Sequence, residues 1–102
     1  MKGYVLSKDV EFDLDEIWEY IAGDSVEIAD SVSARFFAAF DQIATNPNIG
    51  HKREDLTAQD VLFWPVNSFL IIYRRRTDTV EIVAVVRGAR EIPAFLSRRG
   101  TK

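Results

Sequence analysis

The sequence predicts an α+β fold in which a helical hairpin covers one face of a small, mainly antiparallel sheet. Apolar residues recur at helical spacing through residues 7–23 and again through residues 25–47. Runs rich in β-branched and aromatic residues then fill residues 61–88, with short polar turns between them. The expected element order is β-α-α-β-β-β, in two layers, and the length of 102 residues fits a single domain spanning residues 1–102.

A short strand at Gly3–Ser7 is expected to open the fold, followed directly by the first helix. Ser7 or Asp9 can cap the start of this helix, and Gly23 ends it. One helix face is apolar, through Val10, Leu14, Ile17, Trp18 and Ile21. The other face is acidic and is expected to be solvated, through Asp13, Asp15, Glu16 and Glu19.

The second helix is expected to begin after Ser25, a good N-cap residue, and to end at the turn-forming run Asn46–Gly50. Its apolar face consists of Ala29, Val32, Phe36, Ala39, Phe40 and Ile43. Because so few residues separate the two helices, they are expected to form an antiparallel hairpin.

Three strands are expected after a polar loop, at Val61–Val66, Phe69–Arg76 and Thr79–Gly88. The two-residue turns at 67–68 and 77–78 predict an antiparallel meander. Pro65 has no backbone N–H to donate, so its strand is expected at a sheet edge. Residues 91–99 can form a short last helix, with Pro93 in its first turn.

Successive side chains of a strand point to opposite faces of the sheet. In the last two strands both of the alternating sets of residues are largely apolar, so both faces of the sheet are expected to be largely apolar. One face is expected to take the helices. The other face would remain partly bare and open to a partner. The same alternation places Arg87 on the face that carries Glu81.

Composition excludes several classes of protein. The chain has no cysteine, so a disulfide scaffold and a thiolate metal site are excluded, and a reducing cytoplasm is a fitting location. The first residues are not expected to form a signal peptide, and the apolar runs are far shorter than the roughly 20 residues of a membrane span. We expect neither a metal nor a cofactor, because no pair of histidines or carboxylates has ligand spacing.

Charge is divided unevenly along the chain, whose net charge is −3. Residues 1–50 carry ten acidic and three basic side chains, whereas residues 51–102 carry six acidic and ten basic ones. This asymmetry fits either two solvated faces of opposite sign or a basic surface that meets an anionic partner.

Four segments in this order resemble the ParE/RelE superfamily of bacterial toxins from toxin–antitoxin modules. The first resembles the family's opening helix, with Asp13, Leu14, Ile17 and Tyr20. The second resembles its Pro-x-x-Gly-x-x-Arg-x-x-Leu loop, with Pro47, Gly50, Arg53 and Leu56. The third resembles its Tyr-Arg strand, with Tyr73 and Arg74. The fourth resembles its closing strand, with Arg87, Ala89, Arg90 and Glu91.

This resemblance implies a cytoplasmic toxin that arrests growth unless a cognate antitoxin covers it, forming a hetero-oligomer. It also leaves two branches open. RelE-like toxins cleave mRNA in the ribosome, whereas ParE-like toxins are linked to inhibition of DNA gyrase without nuclease chemistry of their own.

Metal-independent RNA cleavage needs a base, an acid and a group that stabilises charge on the phosphorane. Arginine fills only the last role, because it stays protonated. RelE-like nucleases carry a Tyr or His near the end of the chain, yet this sequence has neither after Tyr73, and Arg87 stands where many relatives have His. The nuclease alternative would need His51 or Glu54 as acid or base, with Arg53, Arg74, Arg87 and Arg90 as phosphate clamps.

The sequence therefore favours a ParE-type toxin directed at DNA gyrase, with no catalytic residue. Its target-binding residues are predicted to be Arg74, Arg87, Arg90, Arg98 and Arg99. Its antitoxin-binding anchors are predicted to be Trp18, Phe63 and Trp64. The alternatives are a ribosome-dependent mRNA endonuclease and a non-toxic relative that retains only antitoxin binding.

Overall fold

The computed structural model describes residues 3–88 and Ile92. Two helices and four strands follow one another in the predicted order, which confirms the α+β class. They are β1 (Tyr4–Leu6), α1 (Lys8–Ala22), α2 (Val26–Thr45), β2 (Leu62–Val66), β3 (Phe69–Arg75) and β4 (Val80–Arg87). The predicted last helix at 91–99 lies outside the described residues, apart from Ile92.

The four strands form one sheet in the order β1-β4-β3-β2. The meander is antiparallel, and β1 pairs in parallel with β4, where Tyr4 lies opposite Val80. Pro65 lies on β2, which is an edge strand as predicted. The chain therefore places β4, the strand that ends at Arg87, in the interior of the sheet.

A serine occupies the N-cap position of each helix in the hairpin. The Ser25 side chain accepts a hydrogen bond from the Ile28 N–H at 3.1 Å and so caps α2 as predicted. Ser7 takes the N-cap position of α1 without a side-chain cap bond. Its hydroxyl instead donates to the Val83 carbonyl at 3.1 Å, which ties the start of α1 to β4.

The main core lies between the hairpin and the sheet. Phe36 and Phe40 of α2 are buried there against Ile71 and Tyr73 of β3 and Ile82 of β4. Aromatic rings join the layers, since Phe36 lies 5.4 Å from Phe69 with an edge-to-face geometry. The apolar spacing that predicted α2 is therefore the spacing of its buried residues, whereas on α1 only Val10 of the predicted apolar face is fully buried.

The second sheet face is not bare, which corrects the prediction of an open apolar surface. Phe63, Ile72, Val83 and Ala84 of this face are buried in a second cluster, to which Val61 and Ile92 contribute from outside the strands. Leu56, in the loop before β2, packs against this cluster. That loop was expected to be a plain polar connection, yet it supplies part of the cover.

A β-bulge in β4 overturns the predicted alternation. Ile72 pairs with Ala84 but Tyr73 pairs with Ile82, so Val83 is the extra residue. An extra residue exchanges the two faces for everything beyond it. Arg87 therefore pairs with Phe69 on the face that carries the helices, and not on the face of Glu81.

Candidate functional site

Arg87 ends β4 beside two aromatic rings. Its guanidinium carbon lies 4.2 Å from the centre of the Tyr20 ring and 5.9 Å from that of Phe69. Both distances lie within the range of a cation–π contact. Arg87 is exposed, and none of the ion pairs formed within residues 3–88 includes it. This guanidinium therefore lies against aromatic rings and has no ion-pair partner among residues 3–88.

Asp13 holds α1 against the edge of β4. β1 ends at Leu6, so the later part of β4 has no strand neighbour on that side. The Asp13 carboxylate takes the place of a strand there and accepts a hydrogen bond from the Val85 N–H at 3.1 Å. Asp13 is 8% exposed, so its prediction as a solvated residue is wrong. A buried N–H without an acceptor is costly, which accounts for a carboxylate at this place.

A pocket of about 300 Å³ lies next to this contact, between α1 and the end of β4. Its lining includes Asp13 and Glu16 from α1 and Arg87 and Gly88 from the end of β4. Gly88 has a φ of +73° and no atom within 4 Å of the position that a Cβ would take. The left-handed backbone therefore favours glycine immediately after Arg87.

Arg74 lies on the other face of the sheet. It pairs across the strands with Glu81, and its guanidinium is 3.9 Å from the Glu81 carboxylate. The Arg76 Nε also donates to this carboxylate, at 3.1 Å. Arg74 and Arg87 were predicted to contact one target, yet they face opposite sides of the sheet.

The Pro-x-x-Gly loop is anchored from within the core. The Tyr73 hydroxyl donates to the Pro47 carbonyl at 2.7 Å and accepts from the Gly50 N–H at 2.9 Å. Burial raises the pKa of the Tyr73 phenol above its ordinary value of 10.0. Asn48 accepts a hydrogen bond from Arg75 at 2.6 Å. The loop motif thus positions the chain before it reaches β2, and no phosphate-binding role follows from these contacts.

His51 and Arg53 both have interaction partners within the chain. His51 exchanges two backbone hydrogen bonds with Phe63, at 2.9 and 2.8 Å, and its ring stacks on Trp64 with centroids 6.3 Å apart. Arg53 donates twice to Asp55, at 3.0 and 2.9 Å, which raises the pKa of Arg53 and lowers that of Asp55. These residues were the acid/base and clamp candidates of the nuclease alternative.

Trp18 lines a groove of about 440 Å³ together with Leu6, Glu11, Leu14, Asp15, Ser33 and Phe37. The indole N–H donates to the Asp30 carboxylate at 2.8 Å, which fixes the ring across the hairpin. Phe37 is 38% exposed, so the groove has an apolar floor that meets solvent. Of the other predicted anchors, Phe63 is 2% exposed in the second cluster and Trp64 is half-buried under His51.

Arg90, Arg98 and Arg99 lie outside the described residues. Within residues 3–88 and at Ile92, no cluster of three or more histidines or carboxylates could hold a metal ion. No helix among these residues is long and apolar enough to cross a membrane.

A hairpin of two helices on a four-stranded mixed sheet, with the exposed Arg87 at the end of β4, defines a small α+β protein. The family model that describes the ParE toxin of the type II toxin–antitoxin system parDE matches residues 4–92. The chain therefore belongs to the ParE toxin family.

A solved structure described as the chromosomal ParDE TA system from P. aeruginosa superposes on this fold with a TM-score of 0.71. The two sequences are 18% identical, and the match covers 85% of this chain and 96% of the other. At this level of identity the likeness concerns the fold. A comparison with curated proteins finds no match.

Proposed function

We propose that this ParE-family protein is the toxin of a toxin–antitoxin pair, that it inhibits DNA gyrase in the cytoplasm, and that a cognate antitoxin neutralises it. The observation that carries this proposal is the state of Arg87, which is exposed, unpaired within the described residues and held over an aromatic ring. A guanidinium in this state can bind an anionic group on a target without first losing an internal partner.

The distribution of the other candidates supports binding over RNA cleavage. Arg74 and Arg87 face opposite sides of the sheet, so they do not form one phosphate clamp. Arg53 is already paired with Asp55. A general acid or base has to reach the same atoms as the clamp, and the His51 ring instead stacks on Trp64.

We assign the target surface to the end of β4, with Arg87 as its described member and Arg90, Arg98 and Arg99 as the members that follow it in the sequence. Arg74 would support binding only from the other face. Its side chain is 19% exposed and its guanidinium lies 3.9 Å from the Glu81 carboxylate, so it has a partner within the chain. We therefore expect Arg74 to contribute less than Arg87.

The groove that Trp18 lines is the surface we assign to the antitoxin. Its floor is apolar, and Glu11 and Asp15 lie at its rim. A segment of the antitoxin that folds as an amphipathic helix with basic flanking residues would match both features. Because this groove and Arg87 involve different residues, antitoxin binding and target binding can be separated by mutation.

A supercoiling assay with purified DNA gyrase tests the proposal. The wild-type chain is expected to inhibit the reaction, and Arg87→Glu is expected to lose inhibition while it still binds the antitoxin. Lys8→Glu is the matched control, since it makes the same charge change at the far end of α1, about 18 Å of helix from Tyr20. Equal inhibition by the wild type and Arg87→Glu would contradict the role of Arg87.

Induced cells provide the second test. Inhibition of gyrase should produce DNA breaks and a damage response, whereas RNA cleavage should produce truncated messages with intact DNA. Messages cut within ribosomes in cells with undamaged DNA would favour the endonuclease alternative. Normal growth on induction would favour a non-toxic relative that retains only antitoxin binding.

A further inference from the structure

We propose that Tyr20 is the positioning residue of Arg87, and that the guanidinium it positions binds a carboxylate of the protein target. This inference rests on the proposed function, which it extends by one residue and by the chemistry of the bound group. Tyr20 is 67% exposed on α1, so burial does not account for its ring. The contact that the ring does make is with the Arg87 guanidinium at 4.2 Å.

The ring limits the conformations of a long side chain. An arginine at a strand end has many rotamers, and ordering them on binding costs free energy. The Tyr20 and Phe69 rings both lie within cation–π distance of the Arg87 guanidinium and confine it before any target arrives. A guanidinium that lies against the face of an aromatic ring keeps its N–H donors along its own edge. The donors therefore stay available for an anion.

The acidic groups nearby do not take up these donors. Glu16 lines the same pocket as Arg87, yet no carboxylate of residues 3–88 forms an ion pair with that guanidinium. Tyr20 thus holds Arg87 in an orientation in which its guanidinium forms no ion pair with a described residue. A structural role alone would be served equally well by a salt bridge to α1.

A carboxylate fits this site better than nucleic-acid phosphate. The side chains around Tyr20 on α1 are acidic, since Glu16 and Glu19 are both exposed, and residues 1–50 carry an excess of acidic groups. On its α1 side the site is therefore unfavourable for a duplex with its dense negative charge. A single carboxylate on a protein can instead take two parallel hydrogen bonds from one guanidinium.

A double-mutant cycle tests the coupling, with gyrase inhibition as the readout. Tyr20→Leu keeps an apolar side chain but removes the ring, and it is expected to weaken inhibition about two- to five-fold, the effect of an exposed cation–π contact. Tyr20→Phe keeps the ring and should restore inhibition. In the Arg87→Ala background, Tyr20→Leu should have no further effect. An equal loss in both backgrounds would overturn the positioning role.

Phe12→Leu is the matched control, because Phe12 is another exposed aromatic residue of α1, 70% exposed, and its ring has no cation–π contact with a described arginine. It should leave inhibition unchanged. A loss as large as that of Tyr20→Leu would mean that any exposed aromatic residue of α1 matters, and the specific role of Tyr20 would be overturned.

A measurement without gyrase keeps the inference separate from the proposed function. NMR should show the side-chain protons of Arg87 shifted upfield by the Tyr20 ring in the wild type and in Tyr20→Phe, and the shift should disappear in Tyr20→Leu. An unchanged spectrum in Tyr20→Leu would overturn the positioning role. If the wild type fails to inhibit gyrase, the proposed function is wrong, while this spectrum still decides whether Tyr20 positions Arg87.

A mobility-shift experiment with duplex DNA alone tests the nature of the bound group. The chain is expected not to retard this DNA at physiological salt. Retardation that depends on Arg87 would overturn the assignment to a carboxylate in favour of phosphate.

Discussion

Asp13 on α1 and Val85 on β4 are joined by a buried hydrogen bond across 72 residues of sequence. This bond takes the place of a strand partner, which β4 lacks on this side after Ile82, where its pairing with β1 ends. We expect Asp13→Ala to lower the free energy of unfolding by about 1–3 kcal/mol, because the Val85 N–H would stay buried without its acceptor. Urea denaturation measures this loss, and faster hydrogen exchange at Val85 would locate it.

The control for this prediction is Asp15→Ala, two residues along the same helix on an exposed position. We expect it to change the free energy of unfolding by less than about 0.5 kcal/mol. Equal effects of the two substitutions would show that loss of helix charge, and not the bond to Val85, determines the result.

The position of Asp13 could be read from the sequence in part. It lies three residues after Val10 and four before Ile17, which places it on the buried face of α1. Charge alone led to the prediction of a solvated residue. The helices were predictable because their apolar periods are strong, and the strands because β-branched and aromatic residues are concentrated in them. An aspartate inside such a period indicates a buried acceptor.

The bulge in β4 was not predictable in the same way. Residues 82–86 are all apolar, so alternation carries no information about which residue faces which side. The parallel pairing of β1 with β4 and the cover over the second sheet face also depend on contacts distant in sequence. Consequently the arginines were identified, but their distribution over the two faces was not.

Tyr73→Phe should destabilise the protein at neutral pH by about 1–3 kcal/mol, because the Gly50 N–H and the Pro47 carbonyl both lose their partner. The pKa of the Tyr73 phenol is raised in the folded state, so the folded protein keeps a proton that the unfolded chain loses above pH 10. The wild type should therefore lose stability as the pH rises beyond about 10.

Tyr73→Phe lacks the phenol proton but keeps all other groups that titrate at high pH. It therefore serves as the reference against which the wild type is compared. Its disadvantage relative to the wild type should shrink between pH 9 and pH 11 or so. Chemical denaturation at a series of pH values measures the difference. A gap that stays constant over this range would contradict the raised pKa.

Gly50→Ala should also destabilise the loop before β2. A Cβ at this position would lie 2.7 Å from the Tyr73 hydroxyl oxygen and 3.0 Å from the Phe63 carbonyl oxygen. Both are closer than ordinary contacts, and relieving them would disturb the hydrogen bonds of Tyr73. We expect a loss of about 1–3 kcal/mol, measured by thermal or urea denaturation.

Gly23→Ala is the matched control for the same change. Gly23 has a helical φ of −57°, and the nearest atom to its added Cβ is 3.4 Å away. Alanine there should be neutral or stabilise the protein by up to about 1 kcal/mol. If both substitutions destabilised the chain equally, the close approach of Gly50 to Tyr73 would not be the cause.

Trp18→Ala should weaken antitoxin binding by roughly tenfold or more, as expected for a half-buried aromatic residue that becomes an anchor of the interface. Calorimetry with the cognate antitoxin measures the affinity, and gyrase inhibition by the free variant should stay unchanged. Ile28→Ala, which removes an exposed apolar residue outside the groove lining, is the control. Unchanged affinity for Trp18→Ala would place the antitoxin elsewhere.

The single extra residue in β4 separates the position of Arg87 in the sequence from its position in the sheet. Deleting Val83 would restore regular pairing and leave Arg87 opposite Phe69, on the face of Tyr20. Two related chains could thus differ by one residue between Ile82 and Val85 and still present this arginine on the same face of the sheet. Alignments of this strand need to account for the bulge before they compare side chains.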